Sequence, residues 1–187
     1  MTGVVRVGFF RRLVGSGGQQ WPPRGPITFW PGDTISGRLD VSAYLFPSVG
    51  RSRVDVVGEG SYQGTLEQIG GGKTIDGMRN RDHTALLIPE PTNPYDPNAV
   101  RVVLVPSTPG VPAGRIGYLS REDAVIYRPV IDHLAARSKV MAARASLHGG
   151  WDRGRDDRGS IGVVLHMGTV ADCQAELVKE PPTPSWK

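Results

Sequence analysis

EPTNPYDPNAVRV, residues 90–102, is the stretch that decides the fold class of this chain. It begins with turn chemistry at Asn93-Pro94 and Asp96-Pro97, because proline fixes its own φ and keeps the preceding residue out of the helical region. The valine-rich run that follows predicts a strand, since β-branched residues suit that conformation. The stretch therefore predicts a tight turn that leads straight into a β-strand.

The segments on either side add further strands. They are short apolar runs bounded by glycine, proline and polar residues, which is the pattern of short strands. The predicted strands are VDVVGEGSYQGTL (54–66), which carries glycine punctuation, HTALLIPEP (83–91), AVRVVLVP (99–106) and RIGYL (115–119). A closing strand pair is predicted from VMAARASLHG (140–149) and SIGVVLHM (160–167), around the polar loop GWDRGRDDRG.

One helix is predicted from its start signal at Ser120. The sequence Ser-Arg-Glu-Asp (120–123) places a hydroxyl at the N-cap and carboxylates in the first turn, where they accept from unpaired N–H groups and oppose the helix dipole. Pro129 cannot donate into the helical hydrogen bonds, so we expect a kink or two short helices there. Apolar residues continue at helical spacing through Ala124, Val125, Tyr127, Ile131 and Leu134.

Composition and element pattern together predict the architecture. The chain has 25 glycines and 16 prolines in 187 residues, which favours many turns between short strands. With one or two short helices, this predicts a mainly β fold, a small OB-like β-barrel. We expect the barrel in residues 54–170, an arginine- and aromatic-containing N-terminal extension in residues 1–53, and a proline-rich tail in residues 171–187. In the extension, VVRVGFF predicts a short strand, and ITFWPGDTISGRLDV predicts two strand-like runs around a turn.

Charge and composition limit the partners. The formal net charge is +4, and residues 1–53 hold seven arginines against two acids, which permits a phosphate-bearing partner without requiring one. No run approaches the roughly 20 apolar residues of a membrane span. Arginines interrupt the apolar N-terminal residues where a signal peptide needs its core, so we expect a cytoplasmic protein. The single cysteine, Cys173, excludes an intrachain disulfide and a Cys-based zinc site.

Motifs for catalysis, metals or nucleotides are weak. GGGKT (70–74) imitates the end of a P-loop, but Glu67 stands where the first glycine is required. No nucleophile-elbow sequence G-x-S-x-G occurs. The aspartates and arginines of residues 152–158 predict a self-neutralising solvated loop. We therefore expect no enzyme activity, no cofactor and no metal, and the four histidines, His83, His133, His148 and His166, show no paired metal spacing.

Four segments in a fixed order carry a resemblance to a known family. They are VVGEGSYQG (56–64), EPTNPYDPNAVRV (90–102), IGYLSREDA (116–124) and GSIGVVLHM (159–167). This set resembles the HIRAN domain of helicase-like and Rad5-type DNA translocases, which also occurs alone in bacteria, over roughly residues 54–168. The resemblance implies an OB-like barrel with two helices that holds the 3′-end of single-stranded DNA.

The resemblance also implies which side chains form the site. Tyr95 and Asp96 match the aromatic and the carboxylate that engage the terminal nucleotide. Tyr118 and Arg121 match residues that face the backbone of the bound nucleic acid. The remaining implied residues are Tyr62 and His148, the latter at a position for a stacking aromatic.

The chemistry of this set is suited to a strand end. An aromatic face stacks on any base at about 1–3 kcal/mol. A carboxylate repels an internal phosphate but accepts a hydrogen bond from a free terminal hydroxyl, and a first-turn arginine adds a phosphate contact beside a helix N-terminus. Structural alternatives stay open: Tyr95-Asp96 as a plain turn, Tyr118 as a core aromatic, and Arg121 as a solvated side chain.

The chain departs from the family pattern just before Tyr62. The family member that binds DNA ends has a basic residue and an aromatic there, where this chain has Gly60 and Ser61. One phosphate contact and one stacking surface are therefore missing, and Glu59 adds a negative charge.

Two functions follow as hypotheses. The first is a non-catalytic nucleic-acid-binding module for single-stranded DNA 3′-ends. The alternative is a protein-interaction or structural subunit of a larger assembly such as a phage particle, in which case residues 1–53 dock on a partner protein and the location is a virion.

Overall fold

A computed structural model describes residues 27–28, 38–39, 42–45, 53–72, 83–108, 111–137, 139–150 and 159–178. The described strands are β1 (Ile27–Thr28), β2 (Arg38–Leu39), β3 (Ser42–Leu45), β4 (Arg53–Val57), β5 (His83–Pro89), β6 (Val100–Val105), β7 (Gly114–Leu119), β8 (Lys139–Gly149) and β9 (Ile161–His166). The described helices are a 3-10 turn (Glu59–Tyr62), α1 (Gln63–Gly70), α2 (Arg121–Ala135) and α3 (Val170–Val178). Across these residues no helix has both the length and the apolar character that crossing a bilayer requires.

Six of the strands close into a barrel. Their order is β8-β5-β6-β7-β4-β9, and β9 pairs back with β8 to complete the ring. Every pairing in the ring is antiparallel, whereas β3 adds to β8 in parallel. The predicted mainly β fold built on a small barrel is confirmed.

The core fills the inside of this barrel. It takes side chains from β4 through β9, where alternation directs every second residue inward, and is completed by apolar residues of all three helices. Full burial of a leucine or isoleucine contributes about 1.5–3 kcal/mol. The largest wholly buried side chains of this core include Leu66, Leu87, Leu104, Ile116, Ile131 and Leu165.

Most of the predicted strands are confirmed. HTALLIPEP, AVRVVLVP and RIGYL supply β5, β6 and β7. The predicted closing pair forms β8 and β9, in register from Arg144↔His166 to Gly149↔Ile161. β1 and β2 pair within the ITFWPGDTISGRLDV segment. The turn between them, the predicted strand VVRVGFF, the P-loop-like Lys73-Thr74 and the arginine loop of residues 151–158 lie outside the described residues.

The single long strand predicted over residues 54–66 is wrong. The strand stops at Val57, and Gly58 takes a left-handed φ of 81°, which a residue with a side chain rarely adopts. The chain then makes the 3-10 turn and α1, whose Leu66 and Ile69 lie three residues apart on one helical face and are buried. Gly58, which the sequence analysis placed inside a strand, is the residue at which the strand ends.

The helix predicted from Ser120 is confirmed, but the expected division at Pro129 is not. The Ser120 hydroxyl accepts from the Asp123 N–H at 3.0 Å and donates to its carboxylate at 2.8 Å. The helix runs unbroken through Pro129 to Ala135. Proline removes the donor that would bond to the Val125 carbonyl, and Val125 is 56% exposed, so water is available to that carbonyl.

The sequence analysis missed α3, which begins the segment treated as a tail from residue 171. Thr169 and Asp172 form a reciprocal cap: Asp172 Oδ2 accepts from Thr169 N at 2.9 Å, and Asp172 N donates to Thr169 Oγ1 at 3.2 Å. The Thr169 hydroxyl also donates to Asp172 Oδ2 at 2.7 Å, and this bond, followed by the one from Thr169 N, lowers the pKa of Asp172. The helix packs on α2 and buries Cys173, while Tyr127 OH donates to Gly168 O at 2.9 Å. The segment is thereby tied to the barrel.

Candidate nucleic-acid interface

A β-bulge in β7 shapes one outer face of the barrel. Val102 of β6 is opposite Gly117, but Val103 is opposite Arg115, so Ile116 is an extra residue in β7. In a regular strand, Arg115 and Tyr118, three positions apart, would point to opposite faces. With it, Ile116 and Leu119 enter the core and both Arg115 and Tyr118 face outward.

Gly117 makes this bulge sterically feasible. Its φ is 148°, a region that residues with a side chain rarely occupy. A Cβ there would overlap the Val57 carbonyl oxygen and come within 2.6 Å of Val56 Cγ1 on the neighbouring strand β4. β4 can therefore approach β7 this closely only because residue 117 has no side chain.

Arg115 lies against two tyrosine rings, and we call these three residues the arginine–tyrosine cluster. Its Cζ is 4.8 Å from the centroid of the Tyr118 ring and 5.3 Å from that of Tyr62. Both distances are within the range of cation–π attraction. Tyr62 is the last residue of the 3-10 turn, so the cluster joins that turn to β7.

Glu90 links the cluster to the Asn-Pro-Tyr-Asp turn. Its Oε2 accepts from Tyr118 OH at 3.2 Å and from Asn93 Nδ2 at 3.0 Å. Its Oε1 lies 3.2 Å from Arg101 Nε, and both side chains of this ion pair are largely buried. Arg101 is directly opposite Tyr118 across β6 and β7. Tyr118 is therefore neither a core aromatic nor a loose surface ring, because its hydroxyl is fixed by a carboxylate.

Side-chain hydrogen bonds hold the shape of the turn itself. Asn93 Oδ1 accepts from the N–H groups of Tyr95 at 3.0 Å and Asp96 at 3.3 Å. Asp96 Oδ1 accepts from Asn98 N at 2.8 Å. These are Asx turns, which explains why the segment needs asparagine and aspartate at these positions. The Tyr95 side chain takes no part in this network and is 89% exposed.

The turn also contacts the start of α2. Asp96 Oδ2 lies 3.7 Å from Arg121 Nε, and the Arg121 side chain is 80% exposed. Two turns further along the helix surface, Arg128 donates to the Pro97 carbonyl at 3.1 Å and to Asp132 at 2.8 Å. The turn is thus held on both sides, by Glu90 and by the helix.

Glu59, whose charge the sequence analysis noted, has a structural partner. Its Oε1 accepts from Val163 N at 3.2 Å. Gln63 makes a two-way contact with Ile161, donating to its carbonyl at 2.9 Å and accepting from its N–H at 2.8 Å. Both side chains therefore bond to the backbone of β9 beyond the residues that pair with β4.

Five of the six predicted site residues belong to one connected surface. Asp96 contacts Arg121, Tyr118 and Tyr62 share Arg115, and Tyr95 belongs to the turn between the two pairs. His148 is exposed on β8 with its ring across Gly162, and no contact within the described part of the chain joins it to that surface. The roles of all six in binding stay predictions.

Sequence reasoning missed three residues of this surface: Glu90, Arg101 and Arg115. Glu90 and Arg101 both lie within residues 90–102, but their pairing depends on the register of β6 against β5. Arg101 is opposite Ile88, and Glu90 directly follows the last residue of β5. Arg115 was read as an ordinary strand residue, because a bulge is not visible without the partner strand. The glycine two residues later was the available signal.

Comparisons with known proteins give one family. The HIRAN domain family model matches residues 49–147, more than half of the chain. No curated protein matches. A solved structure, described as the crystal structure of the HIRAN domain of human HLTF, is 20% identical in sequence, with 66% of this chain and 80% of that chain covered and a TM-score of 0.31.

Proposed function

Because the chain belongs to the HIRAN domain family, known as a DNA-binding module, we propose that it is a non-catalytic domain that binds the 3′-end of single-stranded DNA. Family membership supports nucleic-acid binding as the general activity. End recognition is the finer part of the proposal, and it draws its support from the residues of the turn.

The observation that carries the proposal is the position of Tyr95 beside the Asp96–Arg121 pair. A phenol ring that is 89% exposed stands on a turn whose backbone is fixed by Asn93 and Asp96. An exposed ring held on a rigid turn presents a stacking face at a low entropic cost. A terminal base stacks on Tyr95 without regard to its identity, since every base has a π-face.

Asp96 and Arg121 contact different groups of the terminal nucleotide because their charges are opposite. The Asp96 carboxylate accepts a hydrogen bond from the free 3′-hydroxyl and repels a phosphate at the same position. Arg121, 3.7 Å away and mostly exposed, binds the phosphate that precedes the terminal sugar. Its location in the first turn of α2 adds the favourable end of the helix dipole to that contact.

The test compares two labelled oligonucleotides of one sequence by fluorescence anisotropy, one with a 3′-hydroxyl and one with a 3′-phosphate. We expect tighter binding of the hydroxyl form by about tenfold, the value of one charge-assisted hydrogen bond. Asp96→Asn keeps an oxygen to accept from Asn98 N but loses the charge, so the ratio of the two affinities should fall towards one. Asp55→Asn, at an exposed carboxylate on β4, is the matched control and should leave the ratio unchanged.

Two results would remove the proposal. Equal affinity for both oligonucleotides in the unchanged protein would refute end recognition. Absence of binding at low salt would refute nucleic-acid binding and leave the structural-subunit alternative, which light scattering of the full chain and of a variant lacking residues 1–53 then examines.

A further inference from the structure

Arg115 is the feature of this face that the proposed function does not use. The bulge at Ile116 turns it outward, and Gly117 permits the bulge. The residue is half-buried, and its Cζ lies over the rings of Tyr62 and Tyr118. It lies next to Tyr118, which is joined through Glu90 and Asn93 to the turn that bears Tyr95.

An arginine placed against aromatic rings is suited to one kind of ligand. Ring contacts occupy the faces of the planar guanidinium, whereas its N–H donors point outward in the plane, at its edges. The rings restrict the side chain without cancelling its formal charge. A cation with restricted motion and in-plane donors fits the paired oxygens of a phosphate.

The surroundings leave room for a strand beside this cation. A Cβ built on Gly60, in the 3-10 turn that ends at Tyr62, would meet nothing within 4 Å. Val57, opposite Tyr118 on β4, is also exposed on this side. Within the described part of the chain, these two positions leave space for a nucleic-acid backbone beside β7 and the 3-10 turn.

We propose that Arg115 binds an internal backbone phosphate of the same single strand whose 3′-end is held at Tyr95 and Asp96. This assignment rests on the proposed function and adds to it a second anchoring point, away from the terminal nucleotide. The arginine–tyrosine cluster then fixes the direction in which the strand leaves the end site.

The salt dependence of binding tests this assignment. Each phosphate contact to a single strand contributes about 0.7 to the slope of log affinity against log salt concentration. Arg115→Gln should lower the slope by about that amount and weaken binding several-fold at low salt. Arg137→Gln, at an exposed arginine at the far end of α2, is the matched control and should change the slope little.

Arg115→Lys separates a phosphate contact from a positioning role. Lysine keeps the charge but loses the planar stack, so at low salt it should bind more tightly than Arg115→Gln if residue 115 contacts a phosphate, and no better than Arg115→Gln if Arg115 only positions the tyrosines. Thermal unfolding of each variant shows whether it is folded, and Arg115→Met, which also removes the charge, carries the slope test if Arg115→Gln is not folded. A normal slope in Arg115→Gln, with or without weaker binding, would overturn the assignment, because Arg115 would then only position the tyrosines.

The outcomes also separate this inference from end recognition. Because the proposed phosphate is internal, Arg115→Gln should weaken binding of the 3′-hydroxyl and 3′-phosphate oligonucleotides equally, whereas Asp96→Asn changes their ratio. A lower slope in Arg115→Gln together with no end preference would support the phosphate contact and refute end recognition. No binding by the unchanged protein would refute both.

Discussion

Gly117→Ala is the substitution that the geometry of the barrel predicts to be most harmful for its size. The added methyl group would overlap the Val57 carbonyl oxygen and lie 2.6 Å from Val56 Cγ1. The carbonyl belongs to the backbone of β4 and cannot rotate away without breaking the pairing of Val57 with Tyr118. Relief of this overlap would therefore require a shift of the β4 backbone.

The expected loss of stability has two parts. A residue with a side chain held at an unfavourable φ such as 148° costs about 1–3 kcal/mol. Overpacking against a filled core costs about another 1–3 kcal/mol. The middle of the combined range, about 4 kcal/mol, is a large part of the roughly 5–15 kcal/mol that stabilises a typical domain. For a chain of this length it corresponds to a fall in melting temperature of about 10 °C.

Urea unfolding followed by circular dichroism measures this loss, with Gly64→Ala as the control. Gly64 lies in α1, a Cβ there would meet nothing within 4 Å, and alanine is the better helix former by roughly 1 kcal/mol. The control should therefore be neutral or stabilising. If Gly117→Ala unfolds at the same urea concentration as the unchanged protein, then β7 carries no bulge of this geometry, and the outward placement of both Arg115 and Tyr118 loses its basis.

Three further outcomes are expected. Ser120→Ala removes the N-cap acceptor of α2 and should lower the free energy of unfolding by about 1 kcal/mol in the same urea experiment, and an unchanged midpoint would contradict the cap. Tyr118→Phe keeps the ring beside Arg115 but removes the hydroxyl that donates to Glu90, so it should lower the free energy of unfolding by about 1 kcal/mol in the urea experiment; an unaltered midpoint would show that this hydrogen bond does not stabilise the fold. Cys173 is buried, and burial, followed by the charges of Asp172 and Glu176, raises the pKa of its thiol to about 11. A thiol reagent at pH 8 should therefore label this cysteine only after unfolding. Rapid labelling of the folded protein would place α3 away from the core. Because that pKa is higher in the folded state than the ordinary value of 9.0, the neutral thiol stabilises the fold fully below pH 9. This contribution is lost as the pH rises towards 11, which a series of unfolding midpoints between pH 8 and 11 measures.

The strands and the cap could be predicted because their signals are local. Valine-rich runs such as residues 99–106 and the Ser-x-x-Asp sequence at Ser120 determine their conformation within a few residues of themselves. The Asn-Pro-Tyr-Asp turn was predictable for the same reason, and its Asx hydrogen bonds explain its composition. Closure into a barrel was predicted from the number and spacing of the strands.

What could not be predicted depends on partners distant in the sequence. The bulge is defined by the pairing of β7 with β6, so the sequence GRIGYL alone does not show that Arg115 and Tyr118 lie on the same face of β7. α1 has two glycines and only Leu66 and Ile69 as a helical signal, and it folds because the barrel accepts those two side chains. Glu90 and Arg101 are eleven positions apart and meet only through the pairing of β5 with β6.

The bonds from Glu59 and Gln63 to β9 have a consequence for association between molecules. Where β4 leaves β9, the polar groups of Ile161 and Val163 would otherwise form an unpaired strand edge, which is a template for intermolecular β-pairing and aggregation. Two side chains occupy those positions in place of a neighbouring strand. This stretch of β9 is thereby closed to the addition of another strand, and the side chains that close it belong to the same short helical segment that supplies Tyr62, so a change in that segment would affect both the strand edge and the arginine–tyrosine cluster.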